Sequence, residues 1–314
     1  LASAFVIYRY YLKSLKTNKI LDKQKDEIEE LLLTLKLTAQ APKDGEDIFT
    51  GISQIMPHGR VFGGQVMAQA LIAATETVPE GRTVHSLHGY FLRPGDMNQD
   101  IEFQVDRLTD GRSFSARRTT AVQNGRAILS MIASFQIEEP GFTHQIDWPA
   151  DLPMPEDLEP SSDLLAKVDH PVAQFWALER PFDLRYVHDP MIIQTDDGHQ
   201  VPHAAVWMRA LDVLPDDPAL HRAAMVYASD YSVLEPIYRQ HGISWGTPGI
   251  SVASLDHAMW FRKDGRMDEW VLYALESPSS AKGRGLSFGR IYNRHGELLA
   301  TVAQEGLFRF PRTD

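Results

Sequence analysis

The segment Gly242-Ile-Ser-Trp-Gly246 has the residue spacing of a serine hydrolase, with Ser244 at the position of the nucleophile. Downstream lie an acid and two histidines that could activate a serine: Asp256, His257 and His295. Such a nucleophile needs a sharp turn between a buried strand and a helix. Pro248 follows the serine closely and blocks a helix there, because proline has no backbone N–H and its ring clashes with the preceding turn. The pattern therefore favours a glycine-rich loop, and a serine esterase that uses Ser244 is the weaker interpretation.

Several other catalytic chemistries are excluded or unsupported by residue type. The chain contains no cysteine, which excludes disulfides, thiolate zinc sites, iron–sulfur clusters and a cysteine nucleophile. His85 and His88 have the spacing of metal ligands, but on a strand this spacing directs the two side chains to opposite faces. The glycine-rich fingerprints of dinucleotide and nucleoside triphosphate binding are missing as well. We therefore expect no metal and no bound cofactor.

The overall composition is that of an acidic folded protein. Its 314 residues are 43% hydrophobic and 23% charged, and the formal net charge is −11. A nucleic-acid partner is not expected, because phosphates require a basic face. The apolar run at the beginning of the sequence is far shorter than the ~20 residues that span a bilayer, so no membrane span is expected. The absence of cysteine fits a reducing compartment, and a cytoplasmic location is predicted.

Two kinds of hydrophobic periodicity organise the first half of the chain. Residues 26–36 combine an acidic first turn with apolar side chains at helical spacing, which predicts a short helix. The alanine-rich segment from Gly63 is apolar on nearly every side, which predicts a buried helix. Four segments rich in β-branched and aromatic residues follow, separated by turn residues: Val84–Leu92, Ile101–Leu108, Ser113–Gln123 and Ala127–Ile137. A buried helix followed by a meander of antiparallel strands is an α+β unit.

The same pattern recurs in the second half. His221–Arg239 is predicted to form a mostly apolar helix, and the segment Val252–Arg262 aligns with Val84–Arg93. Three more strands are predicted, at Trp270–Glu276, Gly283–Asn293 and Leu298–Phe308. A repeat of this length indicates domain duplication. Two tandem copies of a helix wrapped by a long antiparallel sheet describe a double hotdog, so the predicted fold class is an α+β double hotdog.

The repeat and the segment between its copies divide the chain into four predicted parts. Proline and aspartate accumulate between the two copies, which indicates a linker. The parts are an N-terminal extension (residues 1–25), an N-terminal hotdog module (26–140), a linker and excursion (141–202) and a C-terminal hotdog module (203–314). Because such sheets have open edges, we also expect a homodimer or homotetramer.

Several segments resemble the signatures of type II (TesB-like) acyl-CoA thioesterases, in the same order and over most of the chain. They are His58–Val66, Val84–Asp96, Asp110–Phe114, Tyr227–Asp230, Leu255–Phe261 and Gln304–Gly306. The resemblance implies hydrolysis of acyl-CoA to a free fatty acid and CoA, with an Asp, a Thr or Ser, and a Gln that hold the attacking water. The matching residues in this chain are Asp230, Ser254 and Gln304.

The chemistry of these three side chains suits the implied role. A carboxylate in a partly dry site is a better base than a solvated one, and a hydroxyl and an amide can together orient a water molecule. Taken alone, Asp230 could equally be a helix cap or a satisfied buried acid, and Ser254 a small packed residue. Gln304 is unusual only as a polar residue facing inward from a strand. The assignment of roles therefore depends on the resemblance.

Four further residues are candidates for substrate binding: His58, Gly63, Gly64 and Gln65. The last three open the first apolar helix and offer backbone N–H groups to the thioester oxygen, although Gly63 and Gly64 also fit a plain helix start. His58 could orient the thioester or lie exposed in a loop. Candidates for contacts with the CoA phosphates are Arg112, Arg117, Arg118, Lys282 and Arg284.

Together these features predict an acyl-CoA thioester hydrolase that acts on medium- to long-chain acyl-CoA and has acyl-CoA as its partner molecule. Two alternatives stay open from the sequence. One is a noncatalytic acyl-CoA-binding protein on the same fold, because a fold alone does not determine function. The other is the serine esterase that uses Ser244.

Overall fold

The first half of the molecule is a buried helix surrounded by antiparallel strands. The computed structural model of the protein describes residues 21–57, 59–188 and 200–310. The elements of this half are α1 (residues 21–35), β1 (Thr38–Ala39), β2 (Asp47–Gly51), α2 (Gly63–Thr75), β3 (Arg82–Phe91), β4 (Ile101–Asp110), β5 (Phe114–Gln123) and β6 (Arg126–Ile137). Apolar side chains cover α2 on nearly every side, and the helix is buried along most of its length.

The second half repeats this plan with additional helices. Its elements are α3 (Ser161–Ala166), α4 (Pro171–Leu178), β7 (Phe182–Tyr186), β8 (His203–Ala210), α5 (Pro218–Ser229), α6 (Glu235–His241), β9 (Ser251–Ser254), β10 (Asp256–Phe261), β11 (Val271–Ala281), β12 (Arg284–Asn293) and β13 (Leu298–Arg309). α5 begins where the side chain of Asp217 accepts a hydrogen bond from the backbone N–H of Ala219. None of the helices in the described ranges has the length and hydropathy needed to cross a membrane.

One antiparallel sheet joins the two halves. Within the described residues the strand order is β1-β2-β4-β5-β6-β3-β10-β13-β12-β11-β8-β7, and β9 pairs with β13 beside β10. The halves meet where β3 pairs with β10, with Met259 opposite Leu87. α2 packs against the strands of the first half and against α5, whereas α6 packs against β8, β11 and β12. The predicted sequence of helix and antiparallel meander is therefore present in both halves.

One predicted helix is interrupted in the structure. The sequence pattern predicts a single helix over His221–Arg239, but α5 ends at Ser229 and α6 begins at Glu235, so the prediction is wrong here. Pro236 lies in the first turn of α6 and cannot continue a helix that arrives from the N-terminal side, because it lacks the required N–H. The interruption places Asp230 at the C-terminal cap of α5 instead of inside a helix.

The segment 141–202, predicted as a linker and excursion, contains regular structure. It includes α3, α4 and β7, and β7 extends the sheet by pairing with β8. The ring of Trp148 packs edge-on against Trp207, with 6.2 Å between ring centroids, and the Trp207 indole donates to the Pro153 carbonyl oxygen at 3.0 Å. This segment therefore covers an apolar patch of the C-terminal sheet. α1 is already helical at residue 21, within the predicted extension. The domain boundaries stay predictions.

Candidate active site

A carboxylate, a hydroxyl and a carboxamide from three separate elements meet in the structure. The Gln304 Nε2 donates to Asp230 Oδ1 at 3.1 Å and to Ser254 Oγ at 2.8 Å. Ser254 also hydrogen-bonds to the Asp230 carboxylate. These three side chains are far apart in the sequence, so only the tertiary fold brings them into one cluster, which we call the polar cluster.

The backbone elements explain how these side chains converge. Gln304 lies on β13 with its side chain buried, and Ser254 ends β9, where it pairs with Gly306 two residues further along β13. Residues two apart on a strand share a face, so Ser254 is directed to the same side of the sheet as Gln304. Asp230 reaches this side because α5 ends there.

The N-terminus of α2 completes the site from the first half of the chain. The backbone N–H of Gly64 donates a hydrogen bond to the Asp230 carboxylate. A Cβ atom on Gly63 would lie 2.6 Å from Asp230 Oδ2, and one on Gly64 would lie 2.3 Å from the Tyr227 carbonyl oxygen. Both distances are shorter than van der Waals contact. The two glycines therefore allow the start of α2 to lie directly against the end of α5, and the site contains residues from both halves.

Burial is the largest influence on the charge of Asp230. It raises the pKa of the Asp230 carboxyl, although the residue keeps part of its surface exposed. Hydrogen bonds from Gln304, Gly64 and Ser254 act in the opposite direction and favour the carboxylate. These donors partly offset the effect of burial, and a carboxylate whose pKa is raised is a stronger base than a solvated aspartate.

A buried histidine, His257, lies directly behind the polar cluster. Its Nδ1 is 2.5 Å from Gln304 Oε1, and its Nε2 is 3.0 Å from Ser229 Oγ. The sequence indicates this residue only as a partner of Ser244. The sequence feature that could have indicated a buried His257 is the alternation of residues along β10. It places His257 on the same inward face as Met259 and Phe261.

The structure places the predicted substrate-binding residues in different environments. Gly63 and Gly64 lie against the polar cluster. The Gln65 side chain is fully buried and donates to the Ile52 carbonyl oxygen at 2.9 Å and to Gln69 Oε1 at 3.1 Å. This side chain therefore stabilises the packing of α2, and only the backbone of Gln65 lies at the helix N-terminus. His58 lies outside the described residues.

Two other candidate residues, Arg117 and Ser244, lie in environments that suit a structural role. Arg117, a candidate for the CoA phosphates, is fully buried and hydrogen-bonds to Thr77 and Asp110. Ser244 lies in the loop between α6 and β9, where its Oγ is 3.2 Å from the Thr247 hydroxyl. The turn between a strand and a helix that a serine nucleophile requires is therefore not formed at Ser244.

Comparison with solved structures establishes the class of fold. A protein described as having a hot dog fold, from Alicyclobacillus acidocaldarius, superposes with a TM-score of 0.72 over 90% of this chain and 99% of that chain, at 19% identity. The α+β double hotdog prediction is confirmed.

Comparison of sequences establishes the family. Residues 52–136 match the profile described as "Acyl-CoA thioesterase N-terminal domain", and residues 178–307 match the one described as "Acyl-CoA thioesterase". The chain is 37% identical over 292 residues to acyl-CoA thioesterase 2 of Haemophilus influenzae, covering 91% of this chain and 99% of that protein. It is 39% identical to acyl-CoA thioesterase II TesB2 of Mycobacterium marinum, whose crystal structure superposes with a TM-score of 0.72 over 90% of this chain and all of that one.

The chain therefore belongs to the type II (TesB-like) acyl-CoA thioesterase family. It is an acyl-CoA thioester hydrolase, as the sequence predicts.

Proposed function

We propose that this thioesterase hydrolyses medium- to long-chain acyl-CoA by direct attack of a water molecule that Asp230, Ser254 and Gln304 activate. The observation that supports this mechanism is the convergence of the three side chains, with Gln304 Nε2 within hydrogen-bonding distance of both other groups. A thioester is reactive enough for attack by water if the water is oriented and partly deprotonated.

The proposed reaction uses the partly exposed side of the polar cluster. A water molecule donates one proton to Asp230 and hydrogen-bonds with the other to Ser254 Oγ, so that its oxygen faces the thioester carbon. Gln304 holds these two groups in place through its NH₂. A bond forms between the water oxygen and this carbon, and the C–S bond then breaks. Asp230 returns its proton to the CoA thiolate, so the products are the fatty acid and CoA. Because the Gly64 N–H is engaged by Asp230, we assign the carbonyl oxygen to the neighbouring N–H groups of Gly63 and Gln65.

The apolar surroundings of the site support a substrate with a medium to long acyl chain. Phe91 lies beside Gly63, and the ring of Phe62 stacks on Tyr231, with 4.9 Å between ring centroids. Apolar and aromatic walls next to a few polar groups are typical of sites that accept hydrocarbon chains. CoA release from a series of acyl-CoA substrates, followed with a thiol reagent, tests this preference. A kcat/KM that is highest for short acyl groups would contradict the proposed preference for medium to long chains.

Ser254 variants test whether water attacks directly. We expect Ser254→Ala to lower kcat by about 10–100-fold, because the hydroxyl orients the water but forms no bond to the acyl group. Ser254→Thr keeps the hydroxyl and should stay much closer to the original rate. Intact-protein mass spectrometry during turnover should show no acylated enzyme. An acyl adduct on Ser254 or on Ser244 would instead establish a covalent intermediate.

The pH dependence of the rate should reflect the raised pKa of Asp230. Only the carboxylate can accept a proton from water, so kcat/KM should fall as pH decreases through that pKa, by about tenfold per pH unit. A solvated aspartate has a pKa of about 3.9. Because burial raises the pKa of Asp230, the decline in rate should occur at a higher pH than this. Circular dichroism at each pH separates titration from unfolding. A decline at the pH of a solvated aspartate, with the fold intact, would refute the assignment.

Self-association and cellular location stay predictions. Exposed aromatic and aliphatic side chains lie on the outward face of the central strands: Tyr90, Phe114, Ile132 and Phe288. Such an apolar face supports the proposed homodimer or homotetramer, because exposed apolar surface is commonly an interaction site. The proposed cytoplasmic location rests on the absence of cysteine from the sequence.

A further inference from the structure

We propose that His257 is a positioning residue that holds the side-chain amide of Gln304 in its working orientation. In this role the Nδ1–H of His257 donates to Gln304 Oε1, and the amide nitrogen is thereby directed at Asp230 and Ser254. The inference rests on the proposed function of these three residues and adds a fourth residue behind them.

The direction of the amide follows from the chemistry of its neighbours. In the proposed function Asp230 is the base and is ionised. An ionised carboxylate can only accept hydrogen bonds, so the group that meets Asp230 Oδ1 at 3.1 Å is the NH₂ of Gln304. The same nitrogen reaches Ser254 Oγ at 2.8 Å, which uses both of its protons. The amide oxygen therefore faces His257, at 2.5 Å from Nδ1. An oxygen at this distance requires a donor, so Nδ1 carries a proton.

The His257 ring is buried, and its second nitrogen faces a hydroxyl. The residue is 1% exposed, and burial lowers the pKa of its imidazole, which favours the neutral ring over the cation. A neutral ring with the proton on Nδ1 has an acceptor at Nε2, and the Ser229 hydroxyl lies 3.0 Å from it. The hydroxyl is also 2.9 Å from the Val226 carbonyl oxygen and has one proton to donate, so the histidine competes for it with the end of α5.

The backbone places the histidine directly beside the glutamine. Ala258 on β10 lies opposite Ala303 on β13, and His257 and Gln304 are the next residues along each strand. Gln304 lies between the histidine and the other two members of the polar cluster. If the donor at Nδ1 is removed, the buried amide oxygen loses its partner and the NH₂ group loses its fixed direction.

Two variants of His257 separate positioning from packing. His257→Asn can place an amide N–H near the position of Nδ1, whereas His257→Leu fills the space without a donor. We expect His257→Leu to lower kcat by about 10–100-fold with little change in KM, and His257→Asn to restore most of that loss. Melting temperatures and the affinity for a nonhydrolysable thioether analogue of acyl-CoA should be similar for both variants. Equal kcat values for the two folded variants would overturn the proposal.

A double-mutant cycle with Gln304→Ala tests whether the effect passes through the amide. If His257 acts by orienting Gln304, then His257→Leu should cause little further loss of kcat in the Gln304→Ala background. Full additivity of the two losses would overturn the proposal. If His257→Leu does not fold, His257→Gln replaces it, because its longer side chain carries the amide beyond the position of Nδ1. The proposed function fails separately, if Asp230→Asn retains activity.

Discussion

Asp230→Asn should abolish nearly all acyl-CoA hydrolysis while the protein stays folded. We expect kcat to fall by about 10²–10⁴-fold, which is the usual contribution of a general base. Asparagine has almost the same size as aspartate, and its amide oxygen can still accept a hydrogen bond from Gln304 Nε2. It cannot accept a proton from water at neutral pH. The loss should therefore appear in kcat, and the affinity for a thioether analogue of the substrate should change little. CoA release measured with a thiol reagent gives kcat, and direct binding of the analogue gives the affinity.

Asp256→Asn is the matched control for this substitution. Asp256 is also partly buried, and burial also raises the pKa of its carboxyl. It precedes His257 on β10 and is directed to the opposite face of the strand, where its Oδ1 accepts the backbone N–H of Glu305 at 2.7 Å. We expect this control to stay within about threefold of the original kcat. A small effect of Asp230→Asn, or equal losses in both variants, would contradict the role of Asp230 as the base.

The stability of Asp230→Asn is expected to stay close to that of the unsubstituted protein. Because burial raises the pKa of Asp230 in the folded chain, the folded state holds the proton more tightly than the unfolded state. The ionised carboxylate therefore reduces folding stability once the pH rises through the raised pKa. A neutral asparagine removes this cost but disturbs the Gly64 hydrogen bond, so the melting temperature should change little at neutral pH. This partial compensation keeps the activity measurement interpretable.

The sequence alone is sufficient for the features that depend on local pattern. The apolar circumference of α2 and the alternation along β3–β6 and β10–β13 predict elements that the structure contains. The Asn124-Gly125 turn between β5 and β6 is also predictable, because Asn and Gly tolerate the positive φ angles of such a turn. In the structure these angles are 50° and 68°. Such features follow from a few neighbouring residues.

The features that the sequence does not reveal depend on contacts between distant segments. The end of α5 at Ser229 is hidden because the following residues keep a helical apolar pattern, and only Pro236 indicates a new start. The pairing of His257 with Gln304 is hidden because it requires β10 and β13 to be neighbours in a known register. Local periodicity predicts each strand but not which strands pair, so it cannot predict a hydrogen bond between side chains of two strands.

Gly64→Ala should lower both stability and activity, although the same change in an ordinary helix is favourable. In an exposed helix interior, alanine is better than glycine by about 1 kcal/mol. At Gly64 the added methyl group would lie 2.3 Å from the backbone carbonyl oxygen of Tyr227 and 2.6 Å from the ring of Phe62. A backbone oxygen in α5 cannot move without moving the helix, so α2 and α5 must separate. Overpacking of this kind typically costs about 1–3 kcal/mol.

Activity should fall in the same variant because the clash lies at the catalytic carboxylate. The Gly64 N–H donates to Asp230, and a shift of α2 lengthens this hydrogen bond and moves the groups assigned to the thioester oxygen. A displacement of about 1 Å can reduce a rate by about 10²-fold. Thermal unfolding should show a lower melting temperature, by roughly 2–4 °C for each kcal/mol lost.

Gly141→Ala provides the steric control for this prediction. A Cβ atom on Gly141 would have no heavy atom within 4 Å beyond its chain neighbours, and the residue has no positive φ angle, so alanine should be accepted there without loss. An unchanged melting temperature and kcat in Gly64→Ala would mean that α2 can move away from α5 at no cost, and the close approach would then not be required for catalysis. Loss in Gly64→Ala but not in Gly141→Ala ties activity to the contact between the two helices. That contact joins the two halves of the duplicated chain at one carboxylate, so a single copy would lack part of the site.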